Sequence, residues 1–368
     1  MTLVVAHKHI NLQNWYRKQG VVEVQRLIAV TCSAIVLTSC GNGFSALVAE
    51  RLGVNSRRTF ADWCRDRANL NPETKHTVDV LLRLVGTTEC NAANQKLSSW
   101  PFLFLGDSKI SDIKPLESLT NLTRLRLNNN QISDIKPLES LTNLEEISLY
   151  NNRISDIKPL ESLTDLSDIN LYNNQISDIK PLESLTNLTG LNLGSNQISN
   201  IKPLESLTKL TDLHLYNNQI SDIKPLESLA NLTGLHLDNN QISDIKPLES
   251  LINLKKLKLP NNQISDIKPL HSLTSLEGFD LSYNQISNIK SLRSLTSLTV
   301  LYLSSNQISD IKPLRSLTRT WRLYLSGNPI APKTCPLKSE SFCHWKPPTE
   351  EAKLIELYRQ ELYRQRFY

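Results

Sequence analysis

A 22-residue unit is repeated ten times, almost unchanged, between Ile110 and Pro329. The first copy, residues 110–131, reads ISDIKPLESLTNLTRLRLNNNQ. A fixed period in this range is typical of a solenoid, in which each repeat packs only on its neighbours. Such a stack offers a long regular surface and few ways to build a buried catalytic pocket. The repeat therefore favours a binding protein over an enzyme.

The first copy contains the pattern Leu-x-x-Leu-x-Leu-x-x-Asn-x-Ile over residues 122–132, and the later copies repeat it in register. Because side chains alternate along a strand, Leu125 and Leu127 point to one face, towards the core. Eleven parallel strands at about 4.8 Å spacing would form a sheet on the order of 50 Å long. The predicted strands are 103–105, 125–127, 147–149, 169–171, 191–193, 213–215, 235–237, 257–259, 279–281, 301–303 and 323–325.

This pattern resembles the leucine-rich repeat family. The period of 22, together with the proline-bearing half Ile-Lys-Pro-Leu-Glu-Ser-Leu, is similar to the bacterial internalin-like class. The resemblance covers about residues 100–330. It implies an α/β solenoid with a curved parallel β-sheet on its concave face. Since proline is excluded from helix interiors, the convex face is expected to hold turns and short 3₁₀ segments.

One asparagine follows each predicted strand, and its amide can bond the backbone groups that a sharp inward turn leaves unpaired. We interpret these residues as a buried structural ladder. They are Asn130, Asn152, Asn174, Asn196, Asn218, Asn240, Asn262, Asn284, Asn306 and Asn328.

A solenoid exposes an apolar cross-section at each end and needs caps. We expect a helical N-terminal cap at 57–99, repeats at 100–329 and a C-terminal cap at 330–346. In the first cap, Asn71 is a candidate N-cap with Pro72 at the first helical position.

The cysteines outside the N-terminal region fall in two pairs, one in each predicted cap. We predict two local disulfides, Cys64–Cys90 and Cys335–Cys343, because each would stabilise a small subdomain with little core of its own. The alternative is free, buried thiols. Metal binding is not predicted, since the cysteines lack Cys-x-x-Cys or paired-histidine spacing.

Residues 1–39 have the features of a signal segment. Arg17, Lys18 and Arg26 precede an apolar run at 27–37, which is too short to cross a bilayer. Leu-Thr-Ser-Cys40 then resembles a bacterial lipoprotein processing site, which implies a lipidated Cys40 followed by a spacer to residue 56. The alternative is a buried hydrophobic helix in a cytosolic N-terminal extension.

The formal charge of the whole chain is +5, from 41 basic and 36 acidic residues. Residues 1–39 carry four basic residues and one acidic residue. Without them the chain keeps 37 and 35, so its charge falls to +2. Because no long basic stripe remains, nucleic acid is not an expected partner.

The repeats differ mainly at the solvent-facing strand positions that line the concave face. Tyr150, Tyr172 and Tyr216 share one position, with a gap at Gly194, and tyrosine is common in recognition surfaces. The alternative is that tyrosine serves there only as a good strand residue. The candidate ligand-binding residues are Arg124, Arg126, Glu146, Tyr150, Asp168, Asn170, Tyr172, Asp212, His214, Tyr216, His236 and Asp238.

His214 and His236 fall at equivalent positions of adjacent repeats, with Asp212 and Asp238 nearby. Stacked repeats bring any such pair together, and nothing in the pattern specifies a metal geometry, so no metal site is predicted. After the repeats, residues 347–368 form an amphipathic helical tail expected to pack on the C-terminal cap or on a partner.

Taken together, these features predict a non-enzymatic, cofactor-free module that binds a protein or glycan with its concave face. We expect a monomer, tethered outside the cytoplasm by a lipid anchor or present at the cell surface. The alternatives are a secreted or periplasmic protein and a cytoplasmic one. Two rival functions remain open: a structural envelope protein without a specific ligand, and a cytosolic interaction scaffold.

Overall fold

The computed structural model describes residues 58–346. The predicted signal segment, Cys40, the spacer and the helical tail lie outside the described residues. Within 58–346, no helix combines the length and the apolar character needed to cross a membrane.

Among the residues that the structure describes, three helices precede the repeats. Asn71 caps the second one by accepting a hydrogen bond from Thr74 N at 2.8 Å, as predicted, and Pro72 occupies its first position. Gly86 ends this helix in the left-handed conformation, at φ 69°. The helices are α1 (Phe60–Arg65), α2 (Pro72–Val85) and α3 (Cys90–Ser99).

The predicted disulfide Cys64–Cys90 is present and joins α1 to α3, with the Cα atoms 5.5 Å apart. Phe60, Leu81 and Leu97 are buried between the helices and the first repeat. Thr77 Oγ1 of α2 donates to the carbonyl oxygen of Asp112 at 2.6 Å. The helical cap therefore covers the apolar end of the stack and is bonded to it.

The repeats form one parallel sheet whose strands follow chain order from first to last. Each strand pairs in register with the strand one repeat later, so Leu125 lies opposite Ile147. The strands are β1 (Phe102–Phe104), β2 (Arg124–Arg126), β3 (Glu146–Ser148), β4 (Asp168–Asn170), β5 (Gly190–Asn192), β6 (Asp212–His214), β7 (Gly234–His236), β8 (Lys256–Lys258), β9 (Gly278–Asp280), β10 (Val300–Tyr302), β11 (Arg322–Tyr324) and β12 (Cys343–His344).

The strands begin one residue earlier than predicted. The backbone N–H of Arg124, which precedes the first inward leucine, already bonds the preceding repeat at Pro101 O, 3.1 Å away. Hydrophobic alternation identifies the inward residues but not the residue at which backbone hydrogen bonding between strands begins. The predicted strands therefore start about one residue late.

A twelfth strand, β12, was not predicted, because it belongs to the C-terminal cap. It pairs in parallel with β11, placing Cys343 opposite Leu323. The predicted disulfide Cys335–Cys343 is present, with the Cα atoms 5.8 Å apart. The cap therefore pairs with the edge of the last repeat and ends the sheet in a strand of only two residues.

The convex face carries short 3₁₀ segments, as expected from its prolines. Proline stands at the start of most segments, where its missing N–H would have no partner. Serines connect the segments: Ser206 Oγ donates to Glu183 O of the preceding repeat at 2.8 Å. The segments are Lys114–Leu116, Lys136–Ser140, Lys158–Leu160, Lys180–Ser184, Lys202–Ser206, Lys224–Ser228, Lys246–Ser250, Lys268–Ser272, Lys290–Ser294, Lys312–Ser316 and Glu340–Phe342.

The core runs without interruption through the stack. Each buried leucine or isoleucine stabilises the fold by roughly 1.5–3 kcal/mol relative to an exposed one. The second repeat shows the set, each residue at most 2 % exposed: Ile132, Ile135, Leu138, Leu141, Leu144, Ile147 and Leu149. The last copy departs from it, because Thr320 stands where the others have leucine and Ile311 is only partly buried.

The asparagine ladder is present where it was predicted. Asn218 Nδ2 donates to Leu193 O at 3.0 Å and Leu215 O at 3.1 Å, while its Oδ1 accepts from Ile198 N at 3.0 Å. Each such amide joins two adjacent repeats and satisfies backbone groups that no water reaches.

A second asparagine row was not predicted. The residue before each ladder asparagine has positive φ, as at Asn217 (53°) and Asn239 (55°), a conformation that asparagine tolerates better than most residues. These side chains also bond along the stack, with Asn239 Nδ2 donating to Asn217 Oδ1 at 2.7 Å. This row explains why two consecutive asparagines follow most strands.

Candidate functional site

The concave face consists of three rows of side chains that run across the strands. Each row is numbered by the position of its residues counted from the start of each strand. The first row holds the first residue of each strand: Phe102, Arg124, Glu146, Asp168, Gly190, Asp212, Gly234, Lys256, Gly278, Val300 and Arg322. The third row holds the third residue: Phe104, Arg126, Ser148, Asn170, Asn192, His214, His236, Lys258, Asp280, Tyr302 and Tyr324. The fifth row lies two residues further on: Gly106, Asn128, Tyr150, Tyr172, Gly194, Tyr216, Asp238, Pro260, Ser282, Ser304 and Ser326.

The predicted ligand-binding residues fall in these rows, and the strand register brings them together over β2–β7. Arg124, Glu146, Asp168 and Asp212 belong to the first row. Arg126, Asn170, His214 and His236 belong to the third row. Tyr150, Tyr172, Tyr216 and Asp238 belong to the fifth row.

An aromatic and cationic patch lies at the N-terminal end of this face. Phe102 and Phe104 are 46 % and 55 % exposed, which is unusual for phenylalanine in a soluble protein. The guanidinium carbons of Arg124 and Arg126 lie 5.2 Å from the ring centroids of Phe102 and Phe104, respectively. Each such contact is worth about 0.5–1 kcal/mol at an exposed site. Arg124 Nε also pairs with Glu146 Oε1 at 3.2 Å.

Sequence reasoning missed Phe102 and Phe104, because β1 precedes the first complete repeat. The signal was available: Phe-Leu-Phe alternates around the inward Leu103, which places both rings on the outer face.

Carboxylates gather in the first row next to this patch. The pKa of Asp168 is raised to about 7, first by burial and then by the neighbouring charges of Glu146 and Asp212. A Cβ atom at Gly190 would lie 2.1 Å from Asp168 Oδ2, so the carboxylate occupies space that only a glycine leaves open. Asp212 lies over Gly234 in the same way, and its Oδ2 is 3.1 Å from His214 Nε2.

The expectation of three exposed tyrosines is wrong for Tyr216, which is only 4 % exposed. A Cβ atom at Gly194 would lie 2.5–2.8 Å from atoms of the Tyr216 ring, so this ring fills the gap that the glycine leaves. The rings of Tyr172 and Tyr216 lie 5.6 Å apart, and Tyr172 is partly exposed. Tyr216 therefore packs beneath the concave face, while Tyr150 and Tyr172 are partly exposed on it.

One further expectation of a solvent-facing side chain is wrong. Asn170 is 5 % exposed, because its Oδ1 turns back to accept a hydrogen bond from Tyr172 N at 3.1 Å. His214 and His236 stack on each other with centroids 4.2 Å apart and planes 3° from parallel. Over residues 58–346, no group of three or more His, Cys, Asp or Glu side chains has an arrangement that could hold a metal ion.

A third cluster lies at the C-terminal end of the face. Tyr302, Tyr324 and His344 stack in a column, with successive centroids 4.5 Å and 4.4 Å apart. Burial, followed by the nearby Arg322, lowers the pKa of His344. Trp321 beside them is 46 % exposed, and the Arg322 guanidinium lies 4.3 Å from its ring centroid.

The repeat pattern could not supply His344, because this residue comes from the cap. Only the pairing of β12 with β11 extends the third row beyond the last repeat. Between the central and C-terminal clusters, Lys256 and Lys258 add positive charge. Burial raises the pKa of Asp280, against a hydrogen bond from Ser282 and the charge of Lys258.

The profile of the family described as Leucine Rich repeats (2 copies) matches residues 102–140, 142–184, 186–228, 230–271, 252–294 and 274–316. The chain belongs to the leucine-rich repeat family. Its membership is of the internalin-like kind, because internalins from Listeria monocytogenes are among its structural neighbours. No curated protein sequence matches the chain.

Three solved structures show the range of this likeness. An internalin (inlF) from Listeria monocytogenes is 34 % identical over 72 % of this chain and 85 % of its own, with a TM-score of 0.63. Internalin C2 from the same organism is 36 % identical over 57 % and 91 %, with a TM-score of 0.51. The functional domain of InlJ, also from Listeria monocytogenes, is 23 % identical over 74 % and 57 %, with a TM-score of 0.62, and shows a shared fold.

Leucine-rich repeat proteins of the internalin type are protein-binding modules. The two disulfides indicate an oxidising compartment outside the cytoplasm, where such bonds persist.

Proposed function

We propose that this chain is a non-enzymatic recognition module that binds an extracellular protein with its concave face. The observation that carries the proposal is the pair of exposed rings Phe102 and Phe104, each beneath an arginine. Aromatic and arginine side chains are the residues most enriched at binding hot spots. On the convex side, by contrast, nearly the same residues recur in every repeat.

The three clusters of the concave face support contact with an extended surface and not with a small molecule. They lie at β1–β2, at β3–β7 and at β10–β12, so one partner spanning them would contact most of the sheet. The cleft over β2–β5 has a volume of about 250 Å³ and is mostly polar, whereas small-molecule sites are larger and mostly apolar. A glycan partner is the second candidate, because the stacked Tyr302, Tyr324 and His344 offer a polar-edged aromatic surface.

Site-specific photo-crosslinking tests this proposal. A benzoylphenylalanine placed at Phe104 keeps an aromatic ring at the concave face, and the same group at Glu183 on the convex face is the matched control. Both variants are exposed to an array of extracellular proteins and glycans. We expect one ligand to crosslink through position 104 and not through 183. Capture at 183 alone, or equal capture at both positions, would contradict recognition by the concave face, and capture at neither position would support the purely structural role.

We also propose that the chain is tethered to a membrane through a lipid on Cys40. The support is the sequence alone: a basic stretch, an 11-residue apolar run and Leu-Thr-Ser-Cys40. The intact mass of protein purified from native membranes tests it. A chain that begins at Cys40 with added lipid mass supports the anchor, and Cys40→Ser should release it. A chain that begins at Met1 without lipid would rule the anchor out.

A further inference from the structure

A cleft of about 250 Å³ opens on the concave face over β2–β5. Polar and charged side chains from four consecutive repeats surround it. They are Arg124, Arg126, Glu146, Ser148, Ser167, Asp168, Asn170 and Thr189.

Ser148 lies on the floor of the cleft. The residue is 6 % exposed, and within residues 58–346 its hydroxyl has no hydrogen-bond partner. A buried polar group without a partner is destabilising by about 1–3 kcal/mol. A donor brought into the cleft by a ligand could bond this oxygen and remove that penalty.

Two carboxylates, Glu146 and Asp168, line the cleft together with Arg124 and Arg126. The raised pKa of Asp168 has three causes, burial, Glu146 and Asp212, and no positive group lowers it. The cations closest to this row are already engaged: Arg124 pairs with Glu146, and His214 lies against Asp212. Asp168 is thus held partly neutral, first by its burial and then by the negative charges of Glu146 and Asp212.

The absence of a side chain at Gly190 makes room for the Asp168 carboxylate. Asp168 leans across β5 into the space where any other residue would carry a Cβ. The next carboxylate of the row, Asp212, lies on the far side of this glycine strand. Glu146, Asp168 and Asp212 therefore lie at one register position of adjacent strands from β3 to β6.

We propose that this cleft receives a basic side chain, a lysine or an arginine, from the protein partner of the concave face. This inference rests on the proposed function, because it names one chemical feature of that partner. The cation donates to Glu146, Asp168 and the Ser148 hydroxyl. Arginine suits the site better, since its planar fork can bond two of these acceptors at once.

Binding of the cation is coupled to the loss of one proton from Asp168. The charged groups that face Asp168 are Glu146 on β3, Arg124 and Arg126 on β2, and Asp212 and His214 on β6. At pH 6 most Asp168 side chains are neutral, and at pH 8 most carry the charge that attracts the ligand. If only the ionised form binds, the affinity rises about tenfold from pH 6 to pH 8.

The test is an NMR titration of the full chain labelled with ¹³C at the aspartate side-chain carboxyl carbons. The probes are acetyl-arginine amide, acetyl-lysine amide and the neutral acetyl-citrulline amide. We expect the two cationic probes to lower the apparent pKa of Asp168 by about one unit or more at saturation. They should bind about tenfold more tightly at pH 8 than at pH 6. An unchanged pKa, or equal binding of the citrulline probe, would overturn the inference.

Matched variants separate the cleft from the rest of the face. Gly190→Ala should displace the Asp168 carboxylate from its position over β5 and remove the pH dependence of probe binding. Gly278→Ala, where a Cβ has open space, should leave the carboxylate and the pH dependence unchanged. Asp168→Asn should reduce probe binding, and Asp165→Asn, an exposed carboxylate of the same repeat, should not.

The outcomes for the cleft and for the concave face can be told apart. If crosslinking at position 104 persists in Asp168→Asn and no probe binds, the inference fails and the proposed function stands. If position 104 captures no ligand while the probes bind, the cleft is a cation site without a protein partner, and the proposed function fails.

Discussion

Along the interior of the solenoid each side chain meets its own copy one repeat later, whereas along the concave face nearly every side chain meets a different residue. Asn218 has the same partners as Asn196 and Asn240, at distances that agree within 0.1 Å. Asp168 instead has Glu146 on one side and Gly190 on the other. Identical neighbours produce stability that repeats, and unlike neighbours produce individual environments, such as a carboxyl group with a pKa of about 7.

Breaking the interior row should have the largest effect. Asn218→Ala leaves Ile198 N and three backbone carbonyls without their side-chain partner. At about 1–3 kcal/mol for each unsatisfied group, partly relieved by relaxation, the free energy of unfolding should fall by about 3–5 kcal/mol. Urea denaturation measures it. Gln219→Ala, an exposed residue next in the chain, is the control, and a similar loss for both variants would contradict the ladder's role.

Removing the disulfides compares the two caps. The chain-entropy relation gives about 3.5 kcal/mol for Cys64–Cys90, with a sequence separation of 26, and about 2.5 kcal/mol for Cys335–Cys343, with a separation of 8. Paired cysteine-to-serine variants should follow that order in thermal unfolding. A larger loss at the C-terminal cap would mean that the pairing of β12 matters more than loop length.

Gly194→Ala sharpens the comparison on the concave side. A new Cβ would press on the Tyr216 ring and force it towards solvent, which should lower the free energy of unfolding by about 1–3 kcal/mol. Gly278→Ala should be close to neutral, because nothing lies within 4 Å of its Cβ. Urea denaturation of both variants tests the expectation, and equal effects would mean that Tyr216 repacks without strain.

The smallest expected effect concerns pH. Because the folded-state pKa of Asp168 is raised from 3.8 to about 7, the folded protein binds more protons than the unfolded chain in this window. Its contribution to stability is therefore present at low pH and is lost as the pH rises from about 4 to about 7.

After allowance for solvent screening of this partly exposed group, Asp168→Asn should gain about 1–2 kcal/mol at pH 8 relative to wild type, and less at pH 5. Urea denaturation at both pH values measures the difference. A gain that does not depend on pH would show that the Asp168 carboxyl titrates normally.

Features set by local spacing or by the repeat could be predicted from the sequence, and features outside the repeat could not. The inward leucines, the ladder asparagines, the helix cap at Asn71 and both disulfide pairings were predicted, because each depends on local spacing or on a pattern repeated in register. The start of each strand was predicted one residue late, because periodicity reports burial and not hydrogen bonding. β12 was missed, since it lies outside the repeat.

The solenoid, its sheet and its proline-bearing convex face follow from the repeat alone, because identical residues at a fixed period can satisfy one another in only one register. The two disulfide-bonded caps follow from the cysteine pairs that flank the repeats. Tertiary structure alone decided which concave side chains are available. Tyr216 is buried because Gly194, one repeat earlier, leaves room for its ring, and Asp168 holds its proton because Gly190 lets it lean between two other carboxylates. Such properties depend on which unlike side chains become neighbours across strands and on how they share space, and neither is contained in the period.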